Sequence, residues 1–165
     1  WQAGAGGSLI VSPLRAVVCF PRKSKKKGEG MEILKKFFSA EDKFARHCGI
    51  ELVEAGIGWA KTSMKIEPHH LNGAKTVQGG AIFTLADFAF AVASNSHGPL
   101  AVGINNSISF VKAPTRGTLY AEAREQAINP KLASYAVHIT DDNGDTIALF
   151  QGMVYRKKET IIPGL

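Results

Sequence analysis

The feature that most constrains this chain is an apolar stretch at residues 81–93, AIFTLADFAFAVA. Thr84 and Asp87 are the only polar residues in it. A run of this length that is rich in Ala, Phe and Leu favours a helix over a strand. A helix that is apolar on every side has to be enclosed by other elements. The rest of the chain must therefore cover one central helix.

The segments around this stretch predict one helix and six strands. Residues 31–47 place apolar side chains at helical spacing, with a restart predicted after Ser39. Alternating patterns predict strands at residues 50–55, 58–66, 102–111, 118–127, 132–140 and 146–156. In the third strand Ile104, Ile108 and Phe110 are expected on one face, and Asn143-Gly144 predicts a hairpin before the last strand. We expect an α+β fold, an antiparallel sheet of about six strands wrapped around a long buried helix.

Length and composition predict one folded domain. The chain has 165 residues, which suits a single domain. Residues 1–30 are rich in Gly, Pro and Lys, and we expect a basic extension that is disordered or not native. The domain is predicted at residues 31–158 and a C-terminal tail at residues 159–165.

Charge and residue usage disfavour several classes of protein. The net charge is +6, but residues 1–30 hold six of the 20 basic residues and one of the 14 acidic ones, so the rest is nearly neutral. Specific nucleic-acid binding is therefore not expected. No apolar run approaches the roughly 20 residues that span a bilayer. Cys19 and Cys48 lack disulfide or zinc spacing, so a cytoplasmic setting is expected.

Asp87 is the most informative single residue. A carboxylate in the middle of an apolar helix costs several kcal/mol unless it is paired, hydrogen-bonded or at a solvent-filled site. One interpretation is structural, with Asp87 capping a backbone or meeting a distant cation. The other is functional: the carboxylate lines a dry cleft at an interface, where desolvation raises its pKa for general-base work.

Gly79 and Gly80 precede the same helix. The first amides of a helix are unpaired donors, and glycines let a ligand approach them closely. Such amides can stabilise a developing oxyanion. An ordinary tight turn is the alternative.

Residues 69–98, HHLNGAKTVQGGAIFTLADFAFAVASNSHG, resemble the hotdog-fold acyl-CoA thioesterases of the phenylacetic-acid-degradation (PaaI) type. The resemblance covers about residues 31–157 and includes the strand Ile108-Ser109-Phe110-Val111-Lys112. It rests on matching spacing of Asn72, Gly79, Gly80, Leu85, Ala86, Asp87, Asn95 and Ser96.

The resemblance implies a double-hotdog dimer with catalytic pockets shared between subunits, and family habit implies a dimer of dimers (a homotetramer). Asn72 and the Gly79 amide would come from one subunit and Asp87 from the other. Asp87 would act as general base or as nucleophile, and no cofactor is expected beyond the coenzyme A of the substrate. The sequence departs from the family at Gln78, where many relatives have His, and at Gly103, where some have Ser. Asn105 or Asn106 is a candidate substitute for that hydroxyl.

The remaining candidates concern substrate binding. Phe83, Phe88 and Phe90 are expected beside an acyl pocket suited to aryl-acetyl or medium-chain groups. Lys112 and Arg116 are candidate ligands of coenzyme A phosphates, although a solvated basic edge explains them equally well. His69, His70 and His97 are expected to be solvated loop residues, and no metal site is predicted. A noncatalytic acyl-CoA-binding module and a hydratase or dehydratase of the same fold stay open as alternatives.

Overall fold

The computed structural model describes the backbone of residues 25–162 and the side chains of residues 30–162. The elements in chain order are α1 Lys25–Glu41, α2 Lys43–His47, β1 Ile50–Gly56, β2 Trp59–Lys65, α3 Gly79–Asn95, β3 Pro99–Phe110, β4 Thr118–Ile128, β5 Leu132–Thr140 and β6 Thr146–Thr160. A 3-10 turn, Pro68–His70, lies between β2 and α3. None of the helices in residues 25–162 is long and apolar enough to cross a membrane.

The six strands form one sheet in the order β1-β2-β4-β5-β6-β3, and all neighbours are antiparallel. In β2 the alternation is as expected, with Ala60, Thr62 and Met64 buried on the inner face. Helix α3 crosses that inner face. The α+β prediction of a six-stranded antiparallel sheet around a central helix is confirmed.

The C-terminal end of α3 is tied to the sheet by two side chains. Asn95 Oδ1 accepts a hydrogen bond from the Ala101 amide (2.9 Å), and Asn95 Nδ2 donates to the Ala101 carbonyl (3.2 Å). Ser96 Oγ accepts a hydrogen bond from the Gly58 amide in the β1–β2 turn (2.7 Å). These bonds fix α3 against the edge strand β3 on one side and the β1–β2 turn on the other.

The N-terminal helices differ from the sequence prediction. Helix α1 begins at Lys25, six residues before Met31, and the break falls at Asp42 instead of Ser39. Asp42 Oδ1 accepts a hydrogen bond from the Ala45 amide (2.9 Å) and so caps α2. Residues 1–24 of the predicted extension and 163–165 of the predicted tail lie outside the described residues, and β6 extends into that tail as far as Thr160.

Helix α3 is not fully enclosed within a single chain. One stripe of it stays partly or fully exposed, and its members are Gly80, Phe83, Thr84, Asp87 and Ala91. This open stripe contains the only ionisable residue of the helix. The other elements of the chain therefore leave α3 uncovered at Asp87, although its apolar sequence predicts burial on every side.

Candidate active site

Asp87 lies half-buried on the open stripe. Burial raises the pKa of its carboxyl group above the ordinary aspartate value, and the negative charge of Asp42 raises it further. No ion pair among residues 30–162 includes Asp87. Its described hydrogen-bond partner is Asn106, whose Nδ2 donates to Asp87 Oδ1 at 3.3 Å. The carboxylate is thus desolvated, with no cation beside it in the described part of the chain.

The N-terminus of α3 leaves one amide without a partner. Gln78 is the N-cap, and its Oε1 accepts hydrogen bonds from the amides of Gly80 and Ala81. A Cβ at residue 80 would lie 2.6 Å from that oxygen, so the Gln78 side chain would have to shift to make room for it. The Gly79 amide makes no hydrogen bond within residues 25–162. Gly80 therefore serves the cap, and Gly79 presents the free donor.

Phe110, at the end of β3, covers one side of Gly79. A Cβ at residue 79 would lie 3.0 Å from Phe110 Cζ. The ring itself is 53% exposed, because β3 is the edge of the sheet. The free amide thus lies beside an exposed aromatic ring on the edge strand of the sheet.

A β-bulge in β3 decides which asparagine reaches Asp87. The pairing with β6 shifts between Gly103 and Asn105, so Ile104 is the extra residue. Asn106 faces α3, whereas Asn105 lines the opposite face of the sheet with Gln151 and Met153. The expectation that Asn105 belongs to the same site is wrong for this reason. Ile104 was expected on the face of Ile108 and Phe110, but it is the extra residue of the bulge and has no partner on β6.

Asn72 shapes the loop that leads into α3. Its Oδ1 accepts hydrogen bonds from the amides of Ala74 (2.9 Å) and Thr76 (3.2 Å), and its Nδ2 donates to Thr76 Oγ1 (3.0 Å). Among the described residues, all side-chain bonds of Asn72 stay within this turn. Asn72 therefore stabilises the loop before Gln78 and Gly79, and its side chain does not bond to Asp87 of the same chain.

The phenylalanines of α3 have different surroundings. Phe83 lies on the open stripe and borders a pocket of about 530 Å³. That pocket is lined by Phe44, His47, Cys48, His69, His70, Gln78, Gly80, Ala81, Phe83 and Thr84. Phe88 is buried edge-on against Phe38 (ring centroids 6.2 Å apart), and Phe90 is buried against Tyr135 and Phe150. Phe88 was expected beside the substrate, but in this chain it faces the core and does not line the pocket that Phe83 borders.

Residues 74–148 match the family model of the thioesterase superfamily. The chain is 35% identical to acyl-coenzyme A thioesterase PaaI of Escherichia coli, over 73% of this chain and 86% of that protein. It is 40% identical, over 84% of its length, to an Archaeoglobus fulgidus protein provisionally named an esterase, 90% of which it covers. The chain belongs to the thioesterase superfamily.

The solved structures agree with this assignment. The E. coli PaaI protein has a TM-score of 0.78 and 31% identity to this thioesterase, covering 81% of this chain and 98% of that chain. A mutant of the phenylacetic acid degradation protein PaaI of Thermus thermophilus has a TM-score of 0.68 and 31% identity, over 70% of this chain and 100% of that one. The predicted hotdog fold is confirmed, and the protein is a thioester hydrolase.

The two candidate phosphate ligands of this thioesterase are in different environments. Lys112 Nζ forms ion pairs with Asp145 (2.6 Å) and Asp141 (3.2 Å) in the β5–β6 hairpin. The hydrogen bonds that Lys112 donates to the carboxylates of Asp145 and Asp141 raise the pKa of its ammonium group. Arg116 is exposed in the loop between β3 and β4. Lys112 thus joins two loops, and its contact with a phosphate would compete with both aspartates.

Two histidines differ from the expectation of solvated loop residues. His70 is 4% exposed; its Nδ1 accepts a hydrogen bond from the Glu67 amide (3.0 Å) and its Nε2 lies 3.0 Å from the Cys48 carbonyl oxygen. His97 Nε2 lies 2.6 Å from Glu125 Oε2 and is only partly exposed. No cluster of metal-ligating side chains occurs in the described part of the chain. The sequence signal for His70 was weak, because a buried loop histidine and a solvated one look the same in a single sequence.

Proposed function

We propose that this thioesterase hydrolyses an acyl-CoA to the free acid and coenzyme A, with Asp87 as its catalytic carboxylate and the Gly79 amide as its oxyanion donor. The observation that carries the proposal is the half-buried carboxylate on the open stripe of α3. Desolvation makes such a carboxylate a stronger base than a solvated one. The relationship to E. coli acyl-coenzyme A thioesterase PaaI supports the substrate class.

The helix start supplies the second half of the chemistry. The Gln78 side chain accepts hydrogen bonds from the amides of Gly80 and Ala81, so the Gly79 N–H is the donor available to a ligand. The positive end of the helix dipole reinforces that donor. One such donor contributes about 2.7–4 kcal/mol to the stabilisation of an acyl-transfer transition state.

The spacing of the two groups favours a site shared between two subunits. Gly79 and Asp87 lie eight residues apart on α3, a rise of about 12 Å. A thioester carbonyl must be within about 3 Å of both its oxyanion donor and its attacking group. Asp87 of a second chain can meet that condition, which is the arrangement that the family resemblance implies.

A second copy would also cover exposed apolar surface. The edge strand β3 exposes Val102, Ile104 and Phe110, and Val111 follows it with 61% exposure. Unpaired edges of this kind are commonly covered by pairing with another chain. We propose a double-hotdog dimer on this edge, with a dimer of dimers as the expected assembly.

Two reaction courses fit the same residues. In one, Asp87 accepts a proton from water, the water oxygen attacks the thioester carbon, and the C–S bond breaks to release coenzyme A, which takes up a proton. In the other, an Asp87 oxygen attacks the thioester carbon, the C–S bond breaks and coenzyme A leaves and takes up a proton; water then hydrolyses the anhydride to the free acid and the Asp87 carboxylate. In both, Gly79 donates to the carbonyl oxygen, while Gln78 and Asn72 hold the loop and helix start in place.

The aromatic pocket is the proposed acyl site. Phe44 and Phe83 provide apolar walls, and the volume of about 530 Å³ suits an aryl-acetyl or medium-chain group. Arg116 and Lys112 are retained as candidate contacts of coenzyme A phosphates. The buried free thiol of Cys48 is consistent with the expected reducing, cytoplasmic setting.

The test is thiol release from a panel of acyl-CoAs by the purified full-length protein. Asp87→Asn should lower kcat by about 10²–10⁴, the range for a general base, while Glu54→Gln, at an exposed carboxyl of β1, should not. Substrate binding without turnover by the unsubstituted protein would favour the noncatalytic module. Hydration of an enoyl-CoA would favour the hydratase. Full activity of Asp87→Asn would exclude the proposed role of that residue.

A further inference from the structure

Asn106 is the one described side chain that hydrogen-bonds to Asp87. Its Nδ2 donates to Asp87 Oδ1 at 3.3 Å, across the gap between β3 and α3. The bulge at Ile104 turns Asn106 toward the helix and its neighbour Asn105 away from it. Two adjacent and chemically identical side chains are thus separated by the thickness of the sheet.

Two glycines lie beside the Asn106 amide, and one of them, Gly152, leaves space for it. A Cβ at Gly152, the β6 residue paired with Asn106, would lie 3.0 Å from Asn106 Oδ1 and 2.8 Å from Phe90 Cζ. A Cβ at Gly103 would lie 3.4 Å from both Asn106 Nδ2 and Phe90 Cε1. The contact with Phe90 is shorter than real Cβ atoms make, and the contact with Asn106 is tight, so a side chain at residue 152 would displace Phe90 and crowd the Asn106 amide.

We propose that Asn106 is a positioning residue that holds the Asp87 carboxylate in its reactive orientation, and that the glycine at residue 152 leaves room for its amide. This inference rests on the proposed function, because it assigns Asn106 a role in the chemistry of Asp87. The hydrogen bond occupies Oδ1 and leaves Oδ2 of the carboxylate to face a water molecule or the thioester. Asn106 acts through Asp87 and does not touch the reacting atoms.

The charge environment makes this role measurable. A donor to the ionised carboxylate favours its charged form and opposes the effect of burial. Within residues 30–162 the ionisable group whose charge acts on Asp87 is Asp42, the N-cap of α2. Asn106, which faces Asp87 from β3, and its neighbours Gly103 and Gly152 carry no ionisable group. Removal of the donor therefore leaves burial and Asp42, both of which raise the pKa.

The experiment compares Asn106→Ala with Asn105→Ala in the full-length protein. The Asp87 carboxyl is titrated by ¹³C NMR, and kcat and KM for a hydrolysed acyl-CoA are measured across pH. Asn106→Ala should raise the Asp87 pKa, move the acidic limb of the kcat profile upward, and lower kcat near neutral pH by about tenfold, the effect of one hydrogen bond to a charged group. KM should stay within about twofold. Asn105→Ala should match the unsubstituted protein in every measurement.

A second variant keeps the outcome decisive. Asn106→Leu keeps a side chain of similar size and removes the donor, so it should shift the titration in the same direction, and it decides the matter if Asn106→Ala does not fold. An Asp87 titration and kcat profile that are unchanged in the folded variant would overturn the proposal. The NMR titration needs no turnover. A protein that hydrolyses no acyl-CoA therefore refutes the proposed function, while the titration still shows whether Asn106 controls Asp87.

Discussion

At the residue scale, the surroundings of Asp87 disfavour the ionised form of its carboxyl group. Burial, and then the charge of Asp42, disfavour the ionised form, and one hydrogen bond from Asn106 supports it. Residues that are poised for chemistry in this way commonly lower the stability of the fold. The amide of asparagine has nearly the same shape and is neutral, so it avoids the free-energy cost of a partly buried negative charge.

This predicts that Asp87→Asn stabilises the protein at neutral pH. The folded-state pKa of Asp87 is raised, so its contribution to stability is fully present below the unfolded-state pKa and is lost as pH rises through the folded-state pKa. Asn resembles the protonated form at every pH. Urea unfolding at pH 7.5 should give a larger free energy of unfolding for Asp87→Asn than for the unsubstituted protein, and the gap should close at about pH 3. Equal or lower stability of the variant at pH 7.5 would contradict this, with Glu54→Gln as the control.

At the scale of elements, His70 connects the parts that hold the start of α3. Its ring accepts a hydrogen bond from the Glu67 amide, so the ring is neutral and Nε2–H donates to the Cys48 carbonyl. Its own carbonyl accepts from the Gln78 amide at 2.8 Å. The N-cap of α3 is therefore fixed through a buried imidazole to the end of α2.

We expect His70→Phe to lower the free energy of unfolding by about 2 kcal/mol or more, because it leaves a buried amide and a buried carbonyl unpaired. His69→Phe, at an exposed neighbour, should change it by less than about 0.5 kcal/mol. Burial lowers the pKa of His70, so its contribution is present above its unfolded-state pKa and is lost as pH falls below that value. Urea unfolding between pH 5 and 8 tests both points. Identical stabilities of the two variants would show that His70 has no such role.

Sequence reasoning predicted the elements well and the contacts between them less well. The alternation of apolar and polar residues located all six strands, since successive side chains of a strand point to opposite faces of the sheet. It could not reveal the bulge at Ile104, because one inserted residue exchanges the two faces of the strand and leaves no signal in the residue types. For this reason the sequence could not show which of Asn105 and Asn106 faces the helix. Phe88 and Phe83 are equivalent by residue type, and only the position of α1 shows which of them is buried. The Asp42 cap was missed because Ser39 offered an equally good signal.

At the scale of the whole molecule, one chain contains all the proposed groups but keeps them apart. Gly79 and Asp87 share one rigid helix, so no movement of loops can bring them to the same carbonyl. The open stripe of α3 and the free edge of strand β3 lie where a second chain would add the missing partner. Catalysis in this thioesterase is therefore predicted to depend on association.

The most direct test mixes two inactive chains. Gly79→Pro removes the proposed donor, and proline is tolerated at the first helical position. The ψ of 133° at Gln78 also suits a residue before proline. Gly79→Ala, which keeps the N–H, controls for the added Cβ. Gly79→Pro and Asp87→Asn chains with different tags are co-expressed, and the mixed dimer is purified by both tags.

Thiol release by that mixed dimer is the decisive measurement. A site built from Gly79 of one chain and Asp87 of the other is intact once per mixed dimer, so about half of the activity of the unsubstituted dimer should return, although each variant alone is inactive. A mixed dimer as inactive as its two parents would contradict a site shared between subunits.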